Sequence, residues 1–150
     1  MNEYLINRWN EQVGYTDHVY HLGDVGYKNH GKLSDILCRL NGKKFHIKGN
    51  HDQAMEHEEC SRYFEWSKDV FLLKVQDKAG ADGCVQPIWL SHYAHLIWPQ
   101  QHYGAWHFFG HSHGNLEFPA AKSVDVGVDC WNFAPLCYDA IKHVIRSQPI

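Results

Sequence analysis

Four short runs in this chain each end on a glycine or serine that is followed at once by a side chain able to bind a metal. His18-Val19-Tyr20-His21-Leu22 breaks at Gly23-Asp24, and Phe45-His46-Ile47-Lys48 stops at Gly49-Asn50-His51-Asp52. Val85 to Leu90 runs into Ser91-His92, and Trp106-His107-Phe108-Phe109 into Gly110-His111-Ser112-His113-Gly114. Runs of this length, rich in β-branched and aromatic residues and bounded by turn formers, read as strands. Asp24, Asn50, His92, His111 and His113 therefore each lie just past the C-terminal end of a strand. In layered α/β folds that rim delivers several loops to one crevice where ligands bind. One shared site is expected, not four unrelated turns.

The segments between these runs complete an α/β pattern. Leu5, Ile6, Trp9 and Val13 recur at helical spacing, with Asn2 placed to cap the helix and Gly14 to stop it. Leu33, Ile36, Leu37 and Leu40 form a second amphipathic pattern ended by Asn41-Gly42. Val70 to Val75 and Val85 to Leu90 flank a turn-rich stretch, so they are expected to form a hairpin. Ser123 to Val128 and Ala140 to Ile145 look extended enough to complete a sheet, although the last fits a helix equally well. No linker or repeat divides the chain, so residues 1–150 are expected to form a single domain.

Composition narrows the setting. With 150 residues and 44% hydrophobic content, the chain can build one core but not two ordinary domains. No apolar run approaches the ~18 residues of a membrane span, and Met1-Asn2-Glu3-Tyr4 lacks a basic segment leading into an apolar one, so a soluble chain without an export signal is expected. A net charge of -3 without blocks of like charge leaves no electrostatic footprint for nucleic acid or an anionic membrane. Cys38, Cys60, Cys84, Cys130 and Cys137 are odd in number and include no C-x-x-C pair, which points to reduced thiols, a cytoplasmic location and buried small side chains.

Histidine is the outlier, with 13 residues against 14 lysines and arginines together. Taken singly, each motif has a plain structural explanation: Gly23-Asp24 as a turn, Gly49-Asn50-His51-Asp52 as a helix start capped by Asn50 or Asp52, and His111-Ser112-His113 as a solvated loop. Taken together, a carboxylate, an amide oxygen and three imidazoles form a mixed nitrogen and oxygen set. Such a set suits Mn, Fe, Ni or Zn and not all-oxygen calcium. A site of this kind suggests hydrolysis, because a divalent ion lowers the pKa of water and a pair of ions stabilises both oxygens of a phosphoryl transfer.

In order, spacing and strand-end placement, Gly23-Asp24, Gly49-Asn50-His51-Asp52, Ser91-His92 and Gly110-His111-Ser112-His113 resemble the signature of calcineurin-like metallophosphoesterases. The resemblance runs from about Tyr20 to Gly114. It implies a four-layer αββα sandwich and a two-metal phosphoesterase, acting on phosphomonoesters or phosphodiesters through a metal-activated hydroxide without a covalent intermediate. On the family's pattern Asp24 bridges both ions, Asn50, His92 and His111 complete one site, and His113 binds the other. His51 stands over the leaving group as general acid or transition-state stabiliser, and Asp52 orients the loop.

One departure bears on activity. Members of this family open with a strand ending in Asp-x-His, which supplies two ligands to the ion that His113 also binds, and this sequence contains no Asp-x-His. Three explanations are open: Met1 is an internal methionine, Asp17, His18, His21 or His30 substitutes, or the domain binds one ion or none. A missing first strand would leave unpaired backbone edges and favour self-association. The alternative to an enzyme is a catalytically impaired domain of the same fold serving as a protein-interaction scaffold. A structural zinc module would need paired cysteines. His46, His95, His102 and His107 are expected to be structural or surface imidazoles, while His30 and His57 lie where they could touch a phosphate. Trp98, Tyr93 or Trp131 could stack on a nucleobase.

Overall fold

The computed structural model describes residues 2–26, 29–117 and 121–148, and arranges them as an α/β fold of two sheets with helices packed against them. Helix α1 (Asn2–Gln12) buries Ile6, and Trp9 Nε1 donates to the Asn41 carbonyl at 3.0 Å. Asn2 lies within the helix instead of capping it. Strands β1 (His18–His21), β2 (Lys43–Ile47) and β3 (Phe64–Lys68) form a parallel sheet in the order β1-β2-β3. β3 has no counterpart in the sequence pattern. It offers only Phe64 and Trp66 as apolar side chains, and no glycine or proline separates it from the preceding helix.

Helix α2 (His30–Leu37) begins at Asn29, whose side chain accepts from the Lys32 amide, and ends before Leu40. A 3₁₀ turn (Gln53–Glu56) and the short helix α3 (Glu58–Ser61) follow β2. Leu37, Ala54 and Cys60 bury one another here, with Leu33, Tyr63 and Phe64 around them.

The second sheet has the order β4-β5-β6-β7, from Val70–Gln76, Val85–Ser91, Trp106–Phe109 and Ser123–Asp125. β4 and β5 form the expected antiparallel hairpin, and β5, β6 and β7 run parallel. The last strand stops at Asp125, because Val128–Cys130 turns into a 3₁₀ helix. Residues 140–145 belong to helix α4 (Tyr138–Ser147), where Ile141 and Ile145, four apart, present one buried face.

The main core joins Leu22, just past β1, and Ile47 of β2 to Ile88, Leu90, Trp106, Phe108 and Val124 of the second sheet, with Ile141 and Ile145 of α4. On the other side of β6, His107 is fully buried and bonded by Ser91 and Ser123 at 2.8 and 3.0 Å. Of the five cysteines only Cys60 is buried. The rest are exposed because they fall in connecting segments or at helix ends, which run over the surface.

Candidate metal centre

The parallel strands β1, β2, β5 and β6 carry the four motifs to one place. Gly23 has a left-handed backbone (φ 99°), and a Cβ there would stand 2.5 Å from His92 Nδ1. A Cβ on Gly49 would fall on the backbone and carboxylate of Asp24. Only glycine lets these loops approach so closely.

His92 is the hub, 3% exposed. Its Nδ1 donates to the Leu22 carbonyl at 2.6 Å, which leaves a lone pair on Nε2. That atom faces Asn50 Oδ1 at 2.9 Å, His111 Nδ1 at 3.1 Å and Asp24 Oδ2 at 3.4 Å. Electron-pair donors gathered at these distances can converge on one cation. Among the described residues, Asp24, His92 and His111 are the one His/Cys/Asp/Glu group spaced to hold a metal ion. Their chemistry, with Asn50, fits a divalent transition ion. Asp24 (φ 58°) and His111 (φ 63°) both hold left-handed backbones, a strain that the surrounding contacts sustain.

Asp52 does not point into this focus. Its carboxylate accepts from the amides of Gly49 (2.6 Å), Val25 (2.6 Å) and Asp24 (3.0 Å), and from His46 Nε2 at 2.9 Å. Burial opposes its ionisation, but these donors outweigh burial and hold the carboxyl well below the usual range. Asp52 starts the 3₁₀ turn without capping it, because its oxygens lock the Asp24 and Gly49 loops together. The His51 amide donates to Asp24 Oδ1 at 2.8 Å, fixing the carboxylate, and the His51 side chain is exposed at the rim.

His113 stands apart from the four-donor group, and its Nδ1 is hydrogen-bonded to Asp129 Oδ2. The candidate substitutes for Asp-x-His do not join the group either. Asp17 accepts from the Gly14 amide, His18 lies against Phe45, and His30 pairs with Glu59 at 2.8 Å and stacks on His57. His21 accepts from the Gly23 amide at 3.3 Å, and burial, with His46 beside it, pulls its pKa down to about 4. Trp98 is buried, with its Nε1 on the Ala105 carbonyl, and Trp131, half-buried against the core, donates its Nε1 to the Asp125 carbonyl. Tyr93 is half exposed and its ring lies 4.7 Å from that of His111.

Sequence reasoning missed the supporting partners: Leu22 behind His92, His46 behind Asp52, and Asp129 behind His113. Only Asp129, four residues past a strand end and two past a glycine, carried any signal. β1 is an edge strand, and beside it lies a cavity of about 740 Å³. Its lining includes apolar side chains such as Val13, Tyr20, Leu73 and Leu136 together with Asp24, His92, His111 and His113. No described helix is long and apolar enough to cross a membrane.

No family model matches the chain. It is 31% identical over 158 residues to the uncharacterized protein MJ1445 of Methanocaldococcus jannaschii, a match that covers 100% of this chain and 78% of that protein. The fold is similar to the crystal structure of AQ665 from Aquifex aeolicus, a protein of unknown function, with a TM-score of 0.68, 21% identity, and coverage of 95% of this chain and 84% of that one. The chain belongs to the same family as MJ1445.

Proposed function

We propose that this chain is a calcineurin-like metallophosphoesterase that hydrolyses phosphomonoesters or phosphodiesters. The observation that carries the reading is the convergence of Asp24, Asn50, His92 and His111 from four strand-end loops. Asp24, Asn50, His92 and His111 would hold Mn, Fe, Ni or Zn, which would lower the pKa of water towards neutrality. Asp24 carries the anionic charge of the site, with one oxygen held by the His51 amide and the other turned to His92. To His51, exposed beside Asp24, we assign the role of protonating or stabilising a leaving group. Asp52 acts one step back, holding the Asp24 and Gly49 loops in register.

The finer fold reading, an αββα sandwich lacking its first strand, draws support from the free edge of β1 and the cavity along it. The same open edge is a surface through which copies of the chain can pair. Five free thiols suit a cytoplasmic setting.

Hydrolysis of nitrophenyl phosphate and bis-nitrophenyl phosphate tests the activity. Turnover is expected with Mn or Ni and is expected to disappear in Asp24→Ala, Asn50→Ala and His111→Ala proteins. A stoichiometrically metallated sample that hydrolyses neither ester overturns the enzyme reading. That outcome leaves the scaffold alternative, which the separation of His113 from the other ligands favours.

A further inference from the structure

Tyr93 follows the buried His92 directly and stands half exposed at the rim. Its ring centroid lies 4.7 Å from that of His111 and 5.0 Å from that of His92, at interplanar angles of 58° and 76°. Both imidazoles belong to the donor group, so the phenol ring borders the metal focus. Neither imidazole lies flat on it, and half of the residue is open to solvent. The residue is also held from the core. The Ser91 hydroxyl donates to the Tyr93 carbonyl at 2.6 Å. A hydroxyl has one proton to give, so Ser91 Oγ accepts its 2.8 Å bond from His107 Nε2, and His107 Nδ1 accepts from the Ser123 hydroxyl at 3.0 Å. Ser91, His107 and Ser123 are all buried, and their bonds run in one direction from β7 through β6 and β5 to the rim.

That chain of bonds fixes the backbone at Tyr93 and leaves its side chain two torsions, so little rotational freedom is lost when a ligand covers the ring. An aromatic face takes a flat ring by stacking whatever groups the edge of that ring carries. Of the other aromatic residues weighed for this role, Trp98 is buried and Trp131 is half-buried against the core. We propose that Tyr93 is a specificity-determining residue whose ring stacks on an aromatic group of the substrate, so that the site selects phosphoesters carrying an aromatic ring, aryl or nucleoside. The inference rests on the phosphoesterase reading above and names its substrate class.

The test is calorimetric titration of the Zn²⁺-loaded protein with phosphonates, whose phosphorus–carbon bond is not hydrolysed. Phenylphosphonate is set against methylphosphonate for an aryl group, and the methylenephosphonate analogue of adenosine monophosphate against that of ribose phosphate for a nucleoside. In at least one pair the ring-bearing compound is expected to bind roughly 5- to 150-fold more tightly, the range that stacking on an aromatic side chain supplies. The pair that shows it identifies the source. Tyr93→Phe is expected to keep the preference and Tyr93→Ala to lose most of it. Equal affinities within both pairs for the wild type, or a preference that persists in Tyr93→Ala, overturn the proposal. The wild-type comparison needs no variant, so it stands however Tyr93→Ala folds. The ring-free phosphonates separate the two readings: if they bind as tightly as their ring-bearing partners, only the role of Tyr93 fails, and if no phosphonate binds, the phosphoesterase reading fails with it.

Discussion

Asp52 shows how much one side chain can hold. It is largely buried, and its two oxygens serve three backbone amides and an imidazole from β2. Replacing it with alanine strands these donors in a dry setting, which costs roughly 3–5 kcal/mol in comparable buried networks. Asp52→Ala is therefore expected to lower the urea midpoint substantially and to disorder the Asp24 loop. An unchanged midpoint would show that the carboxylate is dispensable. That Asp24, Asn50, His92 and His111 share one rim was legible in the sequence, because each follows a strand within three positions. The resemblance singled out Asp52, but its partner His46 was not legible, since an imidazole inside a strand gives no sign of which face it serves.

At the scale of elements, β6 illustrates a polar group tolerated inside a sheet. His107 lies between Ser91 of β5 and Ser123 of β7, and His95 packs 5.4 Å away. Burial first, and the neighbouring His95 second, pull its pKa down to about 4. An unfolded histidine titrates near 6.5, so below that pH the unfolded chain takes up a proton that the folded chain refuses. The contribution of His107 is intact above pH 6.5 and is lost as pH falls towards 4. Between pH 7 and pH 5 the loss is about 2 kcal/mol. A His107→Gln protein, able to keep a bond to a serine, is expected to lose less stability over that interval in urea titrations. Equal losses in both proteins would show that other groups carry the acid sensitivity. Strong strands were legible where glycine bounded them, as in β1, β5 and β6. β3 was hidden by its charged composition, and residues 140–145 only declared their helical period through the burial of Ile141 and Ile145.

On the scale of the whole molecule, two sheets deliver their strand ends to one rim, and the cavity along β1 reaches from the apolar interior to that rim. The unpaired sheet edge was expected from the absent Asp-x-His strand, but the cavity could not be located from residue patterns, because it depends on how the sheets meet. The relation to MJ1445 places the chain in a family without naming a reaction, so the chemistry rests on the donor geometry. The central claim is that Asp24, Asn50, His92 and His111 together hold one divalent transition ion. Anomalous diffraction from crystals grown with Mn²⁺ measures this directly. A single strong peak at the focus of Asp24 Oδ2, Asn50 Oδ1, His92 Nε2 and His111 Nδ1 is predicted. No peak there at saturating Mn²⁺, or a peak held by other residues, would contradict it.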